Sequence, residues 1–258
     1  MLNSYLQAMN EIQALRRYVE AGRSATATAL GVRAQVFPHQ VANVDRVLSA
    51  PEIRHLIADE VGLGKTVQAL MIVNAVRIAH PTARVAILVP DALMAQWRDE
   101  LLTRAHESPH LEDGVSVGQE RSVHLLWPKI LDRTSDLDPS VYSLLIVDEI
   151  HNLSAELRDR IANTAADFRG VLLLSATPGL HDLSRRLELL SILEPYRVSE
   201  AARAVATKEV ASLDAPVRRW PTAAQEALLD TLEQRERIAR SEEHTSELQS
   251  RQYLVCRL

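Results

Sequence analysis

The sequence has little cysteine, no long apolar run and no excess of positive charge, and the first two absences each exclude a class of protein. Its only cysteine is Cys256, so neither a disulfide framework nor a cysteine-ligated metal site is expected. No apolar run approaches the roughly 20 residues that a membrane-spanning helix needs. The first residues, MLNSYLQAMNEIQ, lack the basic start and apolar stretch of a signal peptide, so we expect a cytoplasmic protein.

The composition is that of an ordinary globular protein. The 258 residues are 47% apolar and 24% charged, which suits one α/β domain with extensions. A chain of this length buries roughly 70–75% of its unfolded surface, so it needs no covalent staples. The formal net charge of −5 gives no support for a broad nucleic-acid-binding surface. A domain that touches a strand along one edge can still be acidic overall, so charge alone does not decide.

The last nineteen residues, RSEEHTSELQSRQYLVCRL, resemble a one-frame translation of a sequencing adapter. We expect residues 240–258 to be such an artefact, and scars of this kind are left out of fold reasoning. The alternative is a polar, flexible tail. This segment contains Cys256, so residues 1–239 have no cysteine. The same interpretation predicts that the gene is interrupted near Ala239.

Short apolar strands alternate with helices through the middle of the chain. The apolar helix 67–79 ends before Pro81, and a second helix, which Asp91 is expected to cap, contains Trp97 as a core residue. Near-continuous apolar runs are typical of parallel strands that are covered on both faces. The pattern therefore predicts a βαβ sheet, mostly parallel, with helices on both faces. The expected strands are residues 55–59, 84–90, 123–128, 143–149 and 171–177.

A glycine-containing loop, ADEVGLGKT (58–66), follows the first strand. Gly62 and Gly64 allow a tight turn in which consecutive N–H groups face inward as an anion site. The helix that follows adds the positive end of its dipole. Lys65 would reach the β- and γ-phosphates of a nucleotide, and the Thr66 hydroxyl would bind Mg²⁺. The alternative is a glycine-rich turn of any doubly wound domain.

Two adjacent acids end the strand in LLIVDEIH (144–151). The carboxyl ends of parallel strands form the ligand crevice, so Asp148 and Glu149 would emerge beside the phosphate loop. Alternation along the strand points their side chains in different directions. Asp148 would hold Mg²⁺, partly through water, and Glu149 would orient or deprotonate the attacking water. The alternative is a solvated acidic pair at a strand end.

The chain contains, in this order, FPHQ (37–40), IADEVGLGKT (57–66), LVPDALMAQW (88–97), DEIH (148–151) and SATP (175–178). These five motifs resemble, in residues and order, those of superfamily 2 motors of the Swi/Snf-related branch. The general P-loop pattern has glycine six positions before the lysine, where this chain has Asp59; members of this branch commonly have Asp-Glu there. The stretch 185–198 resembles bacterial RNA-polymerase-associated ATPases of the branch, and Ile150 replaces the more usual alanine.

The resemblance implies a RecA-like P-loop NTPase domain, with flanking helices, that uses ATP and Mg²⁺. It implies that Gln40 reads adenine and that Lys65 and Glu149 are catalytic. The implied ATP-binding set is Gln40, Asp59, Glu60, Gly62, Leu63, Gly64, Lys65 and Thr66, with Thr66 and Asp148 as metal ligands. His151, Ser175 and Thr177 would couple the nucleotide to the strand-binding face, where Pro90 and Gln96 would contact nucleic acid.

The periodicity, the family resemblance and the adapter-like tail together divide the chain into four parts. Residues 1–36 are expected to be a helical extension, with a helix over 2–20, and a connector. Residues 37–197 would be the ATP-binding lobe. Residues 198–239 would begin a helical connector to a missing second RecA-like lobe, and 240–258 would be the artefact. The second lobe supplies arginines in this family, so the chain alone is expected to bind ATP and Mg²⁺ weakly and to hydrolyse ATP negligibly.

Three functions compete at this point. The first is an ATP-driven translocase, on DNA in preference to RNA, that displaces or remodels bound proteins. The second is a strand-separating DExH helicase on DNA or RNA. The third is a non-motor ATP-binding scaffold, against which the intact Lys65 and Glu149 argue. A generic P-loop kinase is disfavoured because it would not need Ser-Ala-Thr on a later strand. The residues do not reveal the biological pathway or the oligomeric state.

Overall fold

A computed structural model describes residues 31–105, 110–111, 123–128, 137–179, 181–205, 220 and 222–243. The helix predicted over residues 2–20 lies outside these ranges, as does the segment from 244 onward. Within the described part of the chain, no helix is both long and apolar enough to cross a membrane.

The described strands form one six-stranded, entirely parallel sheet. The strands are β1 (Arg54–Ile57), β2 (Val85–Leu88), β3 (His110–Leu111), β4 (Val123–Leu126), β5 (Leu144–Asp148) and β6 (Val171–Leu174). Their order across the sheet is β1-β6-β5-β2-β4-β3, so β6, the last strand in sequence, lies between β1 and β5. The predicted α/β fold with a parallel sheet is confirmed.

Seven α-helices surround or extend the sheet in the described residues. They are α1 (Pro38–Ser49), α2 (Lys65–Ala79), α3 (Met94–Arg104), α4 (Ala155–Thr164), α5 (Leu183–Leu193), α6 (Pro195–Val205) and α7 (Thr222–Glu243). Ser154 caps α4 by accepting a hydrogen bond from the Leu157 N–H, at 3.2 Å, as serine commonly does at a helix start.

Alternate residues of each strand pack on opposite faces of the sheet, which explains the continuous apolar runs. On β5, Leu144 and Ile146 join a core cluster with α1, α2 and α3. Leu145 and Val147 join a second cluster, with α4 and α5. All four side chains are fully buried. Helices therefore cover both faces, as expected.

Two of the sequence-based assignments need correction. The segment predicted as strand 171–177 is a strand only to Leu174, because the residues from Ser175 onward form a loop after the carboxyl end of β6. Asp91 does not cap a helix; it begins a 3₁₀ turn, and Leu93 is the N-cap of α3. The expected division between residues 197 and 198 stays a prediction. The position lies inside α6, which packs with α5 and α7 around a third apolar cluster. The helical part of 198–239 is thus packed against the lobe.

Candidate nucleotide site

The candidate site lies at the carboxyl ends of β1, β6 and β5. In the register of the sheet, Ile57 of β1 pairs with Leu174 of β6, which pairs with Asp148 of β5. Neighbouring strands lie about 4.8 Å apart, so the ends of β1 and β5 are separated by roughly 10 Å. The phosphate loop, Ser175 and the acidic pair therefore emerge side by side.

The loop after β1 has the backbone conformation that its glycines predict. Gly62 and Gly64 have φ angles of 86° and 80°, in the left-handed region that glycine adopts without strain. Gly64 is the N-cap of α2, and no acidic residue occupies the first turn of that helix. The helix N-terminus therefore presents an uncompensated positive dipole end. The Lys65 Nζ donates to the backbone oxygens of Asp59, at 2.9 Å, and Glu60, at 3.4 Å.

Gln40 braces this loop from α1. Its side chain is buried, and its Nε2 donates to the Leu63 carbonyl at 2.9 Å. Its Oε1 accepts a hydrogen bond from the Phe37 N–H at 3.0 Å. A Cβ atom at Gly64 would lie 2.3 Å from Gln40 Nε2, so the amide packs directly on the loop. The predicted adenine contact therefore belongs to a side chain whose two polar atoms are already engaged, one with the loop and the other with the start of α1.

Asp59 and Glu60 differ in what their side chains do. The Asp59 carboxylate accepts hydrogen bonds from Gln68 Nε2 at 2.6 Å and Asn43 Nδ2 at 3.2 Å. The Glu60 side chain is exposed. Asp59 thus ties the loop to α1 and α2 through its side chain, while both residues meet Lys65 through their carbonyls. A nucleotide contact for either residue stays a prediction.

The Asp148 carboxylate is buried and has an aromatic hydrogen-bond partner. Trp97 Nε1 on α3 donates to Asp148 Oδ2 at 2.7 Å. Burial raises the pKa of Asp148 above its ordinary value, and the neighbouring Glu149 charge adds to the rise. The Trp97 hydrogen bond and the positive charge of Lys65 oppose the shift in pKa. Lys65 and Asp148 are therefore close enough for the charge of Lys65 to affect the pKa of Asp148.

Glu149 leaves the strand in an unusual backbone conformation. It is the one non-glycine residue with positive φ in the described chain, at 45°. Its carboxylate accepts hydrogen bonds from the Ser175 hydroxyl at 3.1 Å and from the Ala176 N–H at 3.1 and 3.2 Å. The side chains of Asp148 and Glu149 were expected to point in different directions because residues alternate along a strand. They do so here because β5 ends at Asp148 and the chain turns at Glu149 toward the end of β6.

Two of the three predicted coupling residues join this contact. The His151 Nδ1 lies 3.3 Å from both Ser175 Oγ and Glu149 Oε2. Thr177 takes part only through its backbone, since its N–H donates to Ser175 Oγ at 3.3 Å while the residue is exposed. Glu149, His151 and the Ser-Ala-Thr loop are therefore one hydrogen-bonded unit.

Sequence reasoning placed Trp97 in the core and missed its bond to Asp148. The side chain is indeed 1% exposed, but its partner is 51 residues away, and spacing carries no signal of that contact. The predicted nucleic-acid residues lie on the same segment. Pro90 follows β2 and is half-buried, and Gln96 is exposed on α3. Their proposed contacts stay predictions.

Comparisons with known proteins agree on the type of protein. Residues 33–180 match the family described as "Type III restriction enzyme, res subunit". The RNA polymerase-associated protein RapA of Stutzerimonas stutzeri is 35% identical over 185 residues, which is 65% of this chain and 20% of that protein. RapA of Sodalis glossinidius is 31% identical over 205 residues, or 72% of this chain and 21% of the relative. The chain thus spans about a fifth of the length of these curated relatives.

Solved structures show the same fold. The Sulfolobus solfataricus SWI2/SNF2 ATPase core in complex with dsDNA superimposes with a TM-score of 0.58 at 18% identity, covering 79% of this chain and 44% of that one. The structure of the Sulfolobus solfataricus SWI2/SNF2 ATPase core domain superimposes with a TM-score of 0.58 at 17% identity, covering 78% of this chain and 42% of that one.

Proposed function

Since the chain belongs to the type III restriction enzyme res-subunit family and carries a Swi/Snf-type superfamily 2 N-terminal helicase lobe, we propose that it is the ATP-binding lobe of a nucleic-acid translocase with double-stranded DNA as its track. The observation that carries the proposal is the convergence of three separate segments at one sheet edge. They are the phosphate loop, the acidic pair and the Ser-Ala-Thr loop.

The proposed nucleotide is ATP with Mg²⁺. The Thr66 hydroxyl and the Asp148 carboxylate are hard oxygen donors, which suit Mg²⁺ because this ion keeps several waters and uses few protein ligands. When bound, Mg²⁺ neutralises phosphate charge. In this proposal Lys65 exchanges its bonds with loop carbonyls for the phosphates, and the N–H groups at the start of α2 face them.

Glu149 is proposed to position the attacking water. Its carboxylate is now held by Ser175 and Ala176, so freeing it for water requires a change in the Ser-Ala-Thr loop. That requirement supports the assignment of Ser175 and His151 as coupling residues. Hydrolysis by this chain alone is expected to be very slow, since an arginine supplied by a second lobe is worth ~10³–10⁵ in rate.

Double-stranded DNA is proposed as the track because an archaeal ATPase core of the same fold is described in complex with dsDNA. The exposed Gln96 and the adjoining Pro90 would lie on the strand-binding face. Contacts there would go mainly to phosphates, which carry little sequence information, so affinity should fall with salt.

Nucleotide binding by the 258-residue chain tests the central proposal. A fluorescent ATP analogue with Mg²⁺ should bind, and Lys65→Ala should weaken binding at least about tenfold, as the loss of one charged phosphate contact predicts. Thr103→Ala is a matched control, since Thr103 is exposed on α3 and donates only to the Asp99 carbonyl. Equal affinities for Lys65→Ala and the unchanged chain would contradict the proposal.

Fluorescence anisotropy with labelled duplex, single-stranded DNA and RNA tests the track. We expect the duplex to bind best and Gln96→Ala to weaken duplex binding. Asn163→Ala removes an exposed amide from α4, which covers the opposite face of the sheet, and should have no effect. Preference for single strands would instead favour the strand-separating helicase.

A further inference from the structure

Trp97 is a buried tryptophan whose indole N–H donates a hydrogen bond to Asp148. It lies on α3 with its ring packed in the core cluster shared with α1 and α2, and 1% of its surface is exposed. Its indole N–H points out of that cluster to Asp148 Oδ2, at 2.7 Å. A buried indole N–H needs an acceptor, and here the acceptor is the residue to which the proposed function assigns Mg²⁺.

The packing makes Trp97 a rigid donor. Met94 and Leu101, on the same helix, are buried in the same cluster, so the indole position is fixed by α3 as a whole. Asp148 is equally fixed, since it ends β5 in register with Leu174. A carboxylate held at one oxygen by a fixed donor loses rotational freedom and keeps its other oxygen for a second partner.

Resting on the proposed function, we propose that Trp97 is a positioning residue that holds Asp148 Oδ2 so that the other carboxylate oxygen is presented to Mg²⁺. Trp97 acts through Asp148 and does not touch the nucleotide. Partners of this kind orient metal ligands, and their loss typically lowers metal affinity about 10–100-fold.

The test compares nucleotide binding in Mg²⁺ with binding in EDTA. Trp97→Phe keeps an apolar ring and removes the donor. It should reduce the Mg²⁺-dependent gain in affinity about tenfold and leave the affinity in EDTA within about twofold of the unaltered chain. A structural defect would instead lower the affinity in both conditions. Trp220→Phe is the matched control, a buried tryptophan in the third cluster beside α5 and α7. Asp148→Asn should lose the same gain, and adding Trp97→Phe to it should cause no further loss.

Tryptophan fluorescence gives a second readout that does not require the Trp97 variant to fold. The chain has three tryptophans, so Trp127→Phe with Trp220→Phe leaves Trp97 as the sole emitter. With a non-hydrolysable ATP analogue bound, addition of Mg²⁺ should change its emission, and Asp148→Asn should abolish that change. An emission insensitive to Mg²⁺, or a Trp97→Phe variant with the full Mg²⁺-dependent gain, overturns this inference alone. Failure of the unaltered chain to bind nucleotide in either condition overturns the proposed function as well.

Discussion

Removing the Ser175 hydroxyl should measurably weaken the hydrogen-bonded unit that joins Glu149 to the Ser-Ala-Thr loop. Ser175 is fully buried, and its hydroxyl donates to the Glu149 carboxylate at 3.1 Å. A hydrogen bond to a charged group is worth about 1.5–3 kcal/mol. The Ala176 N–H remains as a donor to the same carboxylate, so Ser175→Ala should lower the free energy of unfolding by about 2 kcal/mol, near the low end of that range.

Urea denaturation followed by circular dichroism measures this change. An unchanged m-value would show that the loss is one of stability, and a chain of this size should lose about 4–8 °C in Tm. The double-mutant cycle with Glu149→Ala isolates the pair, and we expect a coupling energy of about 1–2 kcal/mol. A coupling energy below about 0.3 kcal/mol would mean that the two residues act independently, and the hydrogen-bonded unit would then have no energetic basis.

Two further predictions concern a glycine pair and a buried ion pair. Alanine at Gly62 meets no atom within 4 Å and should cost only the left-handed conformation, about 1–2 kcal/mol. At Gly64 the added Cβ would also lie 2.3 Å from Gln40 Nε2, so Gly64→Ala should destabilise more and weaken binding of the ATP analogue; equal effects would refute the close packing. The buried Glu188 carboxylate accepts hydrogen bonds from two arginines, at 2.7 and 2.9 Å. Glu188→Leu should therefore lower the free energy of unfolding, measured by urea denaturation, by about 2–3 kcal/mol. The loss is below the roughly 3–5 kcal/mol typical of a broken buried pair, because both arginines keep some exposure to water. The exposed pair of Arg98 and Asp99, at 3.8 Å, serves as the control. An Asp99→Leu variant as unstable as Glu188→Leu would contradict this account.

The strands were predictable because their chemistry is local. Runs such as Val85–Leu88 and Val171–Leu174 are apolar at every position, which is typical of strands buried on both faces. The phosphate loop was equally readable, since Gly62 and Gly64 stand where positive φ is required. These features depend on residues within a few positions of one another.

What could not be predicted depends on distant contacts. The left-handed turn at Glu149 is imposed by its bonds to Ser175 and Ala176, which residue propensities do not encode. The hydrogen bond between Trp97 and Asp148 joins α3, the helix that follows β2, to the neighbouring strand β5. Asp91 suggested a helix cap by its residue type, but the 3₁₀ turn shifts the start of α3 to Met94. Local preference gave way to tertiary structure at each of these points.

The position of β6 has a consequence for how the protein forms during synthesis. In the described sheet, β1 pairs only with β6, through the Arg54–Val171 to Ile57–Leu174 register. Until residues 171–174 have left the ribosome, the strand bearing the phosphate loop has no neighbour to pair with, whereas β2, β4 and β5 can already associate. A nascent chain that stops before Val171 should therefore hold the two halves of the candidate nucleotide site apart, and the candidate site should come together only when β6 inserts between them.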